Sequence, residues 1–377
     1  MQKPHKKRIA ILSDYPYWNY FDNVRPESHP ASWLAALQQA FARETHSPYE
    51  LHWITLTKNV KKMQTCCVDG QYMYLLPAGS RALAQYMRYL PDRWRVGRLL
   101  KQLAPDLVHA WGTEGCYGLI AKDFEGKKLF SLQGALTAYV QRAPMHPFMV
   151  RQAGMEKSLF QKFPLITTES EWARERVLEL VPGADVRLWE YAAEARFFGV
   201  ERRMSARPTC VMAGTNTPVK NVPLAIAAFS RPELQHVTLY LAGVMPGAYP
   251  DLPENIIPLG PVSREKMLEL LSETWALVHP SLADSCPNVV KESRVMGVPC
   301  VVTTECGAKQ YVVNGKSGFV ISPHSEQELV DAVLRMTKDA ETSLTMGSYD
   351  IERCREELSA AVMYRKISAL YEELTGE

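Results

Sequence analysis

The chain has 377 residues, 46% apolar and 22% charged, the composition of a soluble globular protein of about two domains. A formal net charge of +2 argues against a dedicated nucleic-acid binder, whose binding face is strongly basic. Eight cysteines, Cys66 and Cys67 adjacent and the rest scattered, without a C-x2-C pair, point away from zinc and toward a reducing compartment. The apolar run in MQKPHKKRIAILSDYPYW is too short for a signal segment, and no later stretch reaches the length of a membrane span, so a cytoplasmic location is expected.

In chain order, residues 8–13, RIAILS, read as a first parallel strand. Residues 14–29 form an aromatic loop, DYPYWNYFDNVRPESH, packed by its own rings or offering Trp18 or Tyr20 for stacking on a sugar. Residues 31–42 place Trp33, Leu34, Leu37 and Phe41 at helical spacing, and 51–56 and 72–76 read as strands. Residues 81–103 carry Arg81, Arg88, Arg93, Arg95, Arg98 and Lys101 against the single acid Asp92, with Tyr86, Tyr89, Trp94 and Leu99 interleaved. This stretch reads either as a helix with a solvated basic face, broken at Pro91, or as a peripheral contact with an anionic membrane surface. PDLVHAWG (105–112) reads as a strand with His109 and Trp111 at its carboxyl end, where open α/β sheets bind ligands. LFSLQG (129–134) follows, and LITTESEWA (165–173) is a strand, a turn and a helix with Thr168 or Ser170 as cap and Glu171 in the first turn. DVRLWEYAAEARFF (185–198) reads as a hinge, with a domain boundary near 199–206.

The second half opens with a strand at 208–213, the turn GTNTPVKNV (214–222) and a helix over 224–230. VTLYLAG (237–243) is a strand with a glycine exit, and Ser263 caps a helix after IIPLGPV (256–262). The central stretch is HPSLADSCPNVVKESRVMGVPCVVTT (279–304). The apolar residues 275–278 read as a buried parallel strand, 280–286 as a loop, and the next helix has Pro287 in its first turn and Gly297 and Pro299 as its stop. A loop feeding a helix N-terminus from the carboxyl end of a parallel strand is an anion site. Two carboxylates belong to it, Asp284 in the loop and Glu292 about a turn into the helix. An amphipathic helix over 325–336 with a Ser cap and closing helices over 349–373 complete the chain.

The spacing Asp284-x7-Glu292, followed by GVPCVV (297–302), resembles the E-x7-E motif of the retaining glycosyltransferases of family 4, with Asp where Glu is commoner. Other segments resemble the same family in order. PDLVHAWG is similar to PD-V-H-x-H, with Trp111 at the second His; LFSLQG is similar to T-x-H-G, with Gln133 replacing His. GTNTPVKNV is similar to G-R-L-x-x-x-K-G, keeping Lys220 but with Thr215 in place of Arg; ECGAKQYVVNGKSGF (305–319) is similar to the family's glycine-rich tail, with Gln310 for Glu. The resemblance implies a GT-B fold, two Rossmann-like α/β domains facing an inter-domain cleft, with the last helix crossing back to the first domain. Its implied divisions are 1–200 for the acceptor side, 201–355 for the nucleotide-sugar and 356–377 for the returning helix.

By the same resemblance, Asp284 addresses the donor sugar's hydroxyls, Glu292 takes the ribose diol, and the amides of Asn288, Val289 and Val290 take the diphosphate together with Lys220. Gly214 and Thr215 form the phosphate turn, and backbone near Gly260 and Val262 holds the base. Lys220, Asp284 and His109 are the expected catalytic residues, with Gln133 and Trp111 on the acceptor side. The implied activity is retaining transfer of a sugar from a UDP- or GDP-sugar to a saccharide or lipid-linked acceptor in bacterial cell-surface polysaccharide or glycolipid synthesis, at the inner face of the plasma membrane if the basic stretch docks there. No D-x-D occurs, so no metal or other cofactor is expected. A front-face reaction needs little from a protein base, because the leaving phosphate oxygen can take the acceptor's proton. The alternatives are a nucleotide-sugar 2-epimerase of the same fold, which needs several carboxylates and His in the cleft, and a non-catalytic binding protein, which usually carries a secretory signal.

Overall fold

The computed structural model describes residues 6–17, 20–21, 31–44 and 46–376; Trp18 lies outside the described residues. The chain divides into two compact units, one comprising Met1–Thr137, His146–Ala192 and Ala360–Glu377 and the other Ala138–Met145 and Ala193–Ser359. The passage at 192/193 precedes the expected boundary near 200, and the segment Ala138–Met145, read as part of the first domain, is counted with the second unit.

Unit 1 begins with β1 (Lys7–Leu12), α1 (Ser32–Arg43), β2 (Tyr49–Thr57), β3 (Gln64–Val68), β4 (Gln71–Pro77), α2 (Arg81–Tyr86) and α3 (Leu90–Leu103). It continues with β5 (Leu107–Trp111), α4 (Tyr117–Ala121), β6 (Lys128–Ser131), α5 (Leu136–Arg142, shared with unit 2), α6 (Pro147–Phe160), β7 (Ile166–Thr168), α7 (Glu171–Leu180) and β8 (Val186–Leu188). The strands run β3-β4-β2-β1-β5-β6-β7-β8, parallel except for β3, which pairs antiparallel with β4. That hairpin was missed in the sequence. Its two-residue turn is Asp69-Gly70, both at positive φ as a primed turn requires. Ser170 caps α7, accepting from the Ala173 N–H.

The break in the basic stretch falls at Arg88 and Tyr89, both left-handed, and not at Pro91. Pro91 sits in the first turn of α3, where its missing N–H would have no helical partner. The aromatic loop packs on itself: the rings of Tyr15 and Tyr20 stack at 6.2 Å, and Tyr15 lies 4.8 Å from Trp53.

Unit 2 carries β9 (Thr209–Ala213), α8 (Val222–Phe229), β10 (Thr238–Ala242), β11 (Ile256–Gly260), α9 (Arg264–Glu273), β12 (Ala276–His279) and α10 (Asn288–Val295), then β13 (Cys300–Thr303), β14 (Gly318–Ile321), α11 (Glu326–Met336), α12 (Ala340–Ser348) and α13 (Ile351–Glu357). Its sheet, β11-β10-β9-β12-β13-β14, is parallel throughout, and its strands are near-continuous apolar runs because helices cover both faces. Strand order reverses between β9 and β12, so the loops after these two strands diverge and leave a crevice between them. The last helix, α14 (Ala360–Thr375), rejoins unit 1. Met363, Ile367, Leu370 and Tyr371 recur at helical spacing and are buried there, with the Tyr371 ring stacked on Phe41 of α1 at 6.1 Å.

Candidate active site

In unit 2 the crevice at the switch point brings together two of the residues singled out in the sequence. Lys220 follows β9 and Asp284 follows β12, and 64 positions apart in sequence they form an ion pair, Nζ to Oδ2 at 2.5 Å. His279, the last residue of β12, donates from Nε2 to the same carboxylate oxygen at 2.9 Å. Burial alone would push the Asp284 carboxyl up, but Lys220 and then His279 hold it well below the usual carboxylate range. Burial also lowers the His279 pKa, against the pull of Asp284, so the imidazole is neutral and its Nε2–H is the donor. The cluster is 7% exposed at Asp284 and half-buried at Lys220.

Backbone links hold the two loops together. Leu282 N–H donates to the Val219 carbonyl at 2.8 Å. Asn221, at left-handed φ 58°, donates to the carbonyls of Pro280 and Pro323 at 3.0 and 2.9 Å. Gly243 has φ +98°, and a Cβ there would lie 2.4 Å from the Gly214 carbonyl oxygen, so only glycine lets β10's exit pass the turn after β9. Thr215, in place of the arginine of the resemblance, is exposed.

Pro287 is the N-cap of α10 and not a first-turn residue. Val290 N–H bonds back to the Pro287 carbonyl at 3.1 Å, so Val290 is not available to an anion. Among the described hydrogen bonds, Asn288 and Val289 N–H have no acceptor, as expected of a helix start that serves an anion. The far end closes as read: Val298 N–H to Ser293 O at 2.8 Å and Gly297 N–H to Arg294 O at 3.1 Å form a Schellman stop, with Gly297 at φ +76°.

Glu292 is 2% exposed and paired with Arg264, which also donates from Nε to Glu194 at 2.9 Å and lies 4.9 Å from the Phe197 ring. Burial raises the Glu292 pKa and Arg264 opposes it. Gly260 offers no free backbone N–H to a base: it donates to Val244 O at 2.8 Å, while its carbonyl accepts from Gly243 at 2.7 Å. The expected base contact at Gly260 can therefore run only through its carbonyl. Val262, beyond the strand, remains half-buried.

Sequence reasoning missed His279, Asn221 and Arg264, and also two residues of α5. The Tyr139 hydroxyl accepts from Ser285 N–H at 2.9 Å and donates to Ser285 Oγ at 3.0 Å. Arg142 pairs with Glu305 at 2.7 Å, whose carbonyl accepts from Asp284 N–H at 3.1 Å. The one signal for His279 was its place at a strand's carboxyl end; Tyr139 and Arg142 carried none.

In unit 1 the structure gives His109 a packing role, correcting its catalytic reading. It is 0% exposed, its two ring nitrogens engage Tyr371 Oη at 2.8 Å and Ser131 Oγ at 2.6 Å, and burial pushes its pKa well down. Trp111 is buried beside it, donating from Nε1 to Tyr191 Oη at 2.8 Å, which leaves no free face for an acceptor. Gln133 is half-buried. Its neighbourhood includes Gly112, where an added Cβ would meet Glu114 Oε2 at 2.4 Å and Gln133 Oε1 at 3.6 Å. Burial pushes the Glu114 carboxyl up to about 7. Strand order in this sheet reverses between β1 and β5, and a cavity of about 330 Å³ lies at their carboxyl ends, lined by Asp14, Thr57, Lys58, Tyr89, Asp92 and Tyr117 among others.

Residues 207–339 match the family described as Glycosyl transferases group 1. Among curated proteins, a D-inositol 3-phosphate glycosyltransferase of Corynebacterium glutamicum is 26% identical over 219 residues, 53% of this chain and 52% of that protein. The capsular polysaccharide biosynthesis glycosyltransferase CapM of Staphylococcus aureus is 23% identical over 100 residues, 26% of each chain. The chain thus spans about half, or less, of the length of these relatives. Among solved structures, sucrose-phosphate synthase from Thermosynechococcus elongatus superimposes with a TM-score of 0.79 at 15% identity, over 98% of this chain and 99% of that one. Anabaena Alr3699/HepE in complex with UDP-glucose does so with 0.71 at 14%, over 97% and 100%. The chain therefore has the GT-B fold of two Rossmann-like α/β domains, and the stretch that matches the glycosyl transferases group 1 lies within its second unit.

Proposed function

We propose that the protein is a retaining glycosyltransferase that takes a sugar from a UDP- or GDP-sugar and passes it to a saccharide or lipid-linked acceptor hydroxyl, in bacterial cell-surface polysaccharide or glycolipid synthesis. The observation that carries this reading is the Lys220–Asp284–His279 cluster beside the free first-turn amides of α10, inside the segment that matches the family. The names of relatives support the pathway class: one is a capsular polysaccharide biosynthesis glycosyltransferase, another the lipopolysaccharide glucosyltransferase WaaG of Escherichia coli, 31% identical over 72 residues. A HepE structure holding UDP-glucose supports a nucleotide-sugar donor.

The diphosphate sits on the N–H groups of Asn288 and Val289 and on Lys220 Nζ. The bond from the anomeric carbon to the diphosphate oxygen breaks, and its electron pair leaves with the diphosphate. Lys220 and the helix amides meet the charge that grows there, in a pocket whose donors are already in place. The acceptor oxygen attacks the same face, and its proton passes to the departing phosphate oxygen. Asp284 accepts from hydroxyls of the transferred sugar, fixed in position by Lys220 and His279. Arg142, whose partner Glu305 accepts from the Asp284 N–H through its carbonyl, supplies a second cation where Thr215 replaces the arginine of the resemblance. Because these cations carry the charge, we propose that no metal takes part. Gln133 and the cavity of unit 1 are the proposed acceptor groups.

The test is incubation of the full chain with a panel of nucleotide-sugars, following nucleoside diphosphate release, with and without a chelator. Proton couplings at the new anomeric centre then report the stereochemistry. Chelator-insensitive turnover with the donor's configuration kept is the expected result. An inverted product, C2 epimerisation of the donor or binding without turnover across acceptor mixtures would overturn the reading.

A further inference from the structure

We propose that helices α2 and α3 of unit 1 form a docking surface for an anionic lipid bilayer. Twelve large apolar side chains are exposed among the described residues, and five of them, Leu83, Tyr86, Met87, Leu90 and Trp94, fall within 83–94. Their exposure is not marginal: Tyr86 is 84% and Trp94 67% exposed. A cluster of this kind costs solubility unless something covers it.

The stripe has helical order. On α2, Leu83, Tyr86 and Met87 share a face at spacings of three and four. On α3, Leu90, Trp94, Arg98 and Lys101 follow one another at the spacings of a single face, apolar in the first turns and basic in the last. The Arg98 guanidinium lies 6.0 Å from the centre of the Trp94 ring. Val96, Leu99 and Leu100 point the other way, into the unit. The left-handed pair Arg88 and Tyr89 turns one helix into the other, with Arg88 exposed on the outside and Tyr89 buried on the inside. The structure has therefore settled which face of this stretch meets solvent, and it is the aromatic one as much as the basic one.

Charge identifies the occupant. Arg88, Arg98 and Lys101 are exposed and form no ion pair among the described residues. The one acid of the stretch, Asp92, is buried and paired with Arg95, so no exposed carboxylate on these helices opposes an anionic surface. A face of aromatic and aliphatic side chains edged by free cations is what lies at the level of phospholipid headgroups. A second copy of the chain fits worse, because a symmetric contact would set these cations against their own counterparts. The inner side of the same two helices, through Ala84, Tyr89 and Asp92, lines the cavity of unit 1, so docking would hold that cavity next to the headgroups. The inference rests on the helices alone and stands whether or not the donor site has been read correctly.

The experiment is flotation of the full chain with vesicles of phosphatidylcholine, with and without phosphatidylglycerol. The wild type should float with the anionic vesicles, be released at high salt, and remain unbound with phosphatidylcholine alone. Leu90→Ser with Trp94→Ser should weaken binding about tenfold or more. So should Arg88→Glu with Arg98→Glu, while Met245→Ser, an exposed apolar site of unit 2, leaves it unchanged. Nucleoside diphosphate release from a soluble donor and the melting temperature are measured on each variant and should match the wild type, which separates this proposal from the assignment of activity. The proposal is overturned if the wild type binds neither vesicle, if the Leu90/Trp94 variant binds as the wild type does, or if those two substitutions instead dissolve a dimer in sedimentation.

Discussion

Replacing Asp284 by Asn separates two roles that the wild-type site combines. One carboxylate oxygen accepts from both Lys220 at 2.5 Å and His279 at 2.9 Å. In the free protein Lys220 is thus already engaged, and a diphosphate must share or take it. The amide keeps the shape and an acceptor for His279 but has no charge. Lys220 is released toward the diphosphate, and a negative charge beside that diphosphate disappears. We expect free nucleoside diphosphate to bind as well as before or up to about fivefold tighter, a gain of about 1 kcal/mol. The full nucleotide-sugar behaves differently, because it loses a charge-assisted bond to its hydroxyls. Such a bond contributes about 1.5–3 kcal/mol, so affinity or turnover with the nucleotide-sugar should fall about tenfold or more. Calorimetry with the diphosphate and with the nucleotide-sugar, on wild type and variant, reads both quantities. If the variant binds the free diphosphate more weakly, and by the same factor as the nucleotide-sugar, Asp284 serves only to order Lys220 and the division of labour is wrong.

Three further outcomes are expected. Lys220→Ala should lower turnover about a hundredfold or more while circular dichroism and melting stay near wild type, since a half-buried loop cation is lost from a developing charge; near-normal turnover would place the diphosphate elsewhere. Glu292→Gln should weaken the free nucleoside diphosphate and the nucleotide-sugar alike, by about tenfold, in the same calorimetric titrations; unchanged affinity for both would mean that Glu292 serves Arg264 and not a ribose. Glu114→Gln tests the half-buried Glu114 of unit 1, whose carboxyl pKa is pushed by desolvation from 4.5 up to about 7. Between those values the folded state binds more protons than the unfolded one, so this group's contribution falls as pH rises through about 7. The variant should therefore match wild-type stability near pH 4.5 and exceed it by about 1–3 kcal/mol at pH 8, read by denaturant unfolding; equal differences at both pH values would refute the burial argument.

Much of unit 2 was legible because its signals are local. The apolar run before His279, the loop, the helix and the Gly297 stop are each set by residues within a few positions of one another, and the Schellman bonds at Ser293 and Arg294 follow from that spacing. The hairpin at Asp69-Gly70 was equally local and was still missed, since β3 alternates polar and half-buried residues and offers no apolar run. Arg264 reads in sequence as a solvated charge at a helix start. Only the fold shows that it is the counter-ion of Glu292, 28 positions away. Glu292 could be read as a ligand-facing carboxylate, but its 2% exposure depends on that distant partner.

The contrast between Lys220 and His109 shows which kind of residue a motif can place. Both stand near the carboxyl end of a parallel strand beside a switch point, and the resemblance implies a catalytic role for both. Lys220 lies seven residues beyond the end of β9, in a loop that must leave the sheet because the next strand goes one way and β12 goes the other. A residue there reaches the crevice whatever the rest of the chain does. His109 lies inside β5, so its direction depends on the pleat and on what covers that face. What covers it is α14, whose Tyr371 comes from 262 positions further along and bonds the imidazole. No pattern near residue 109 could announce that. The position of a loop residue at a switch point is carried by topology, which the alternation of strands and helices reveals. The environment of a strand residue is carried by packing, which only the folded chain supplies. Asp284 and the amides of Asn288 and Val289 belong to the first kind, and for that reason the meeting of Lys220 with Asp284 could be anticipated where the packing around His109 could not.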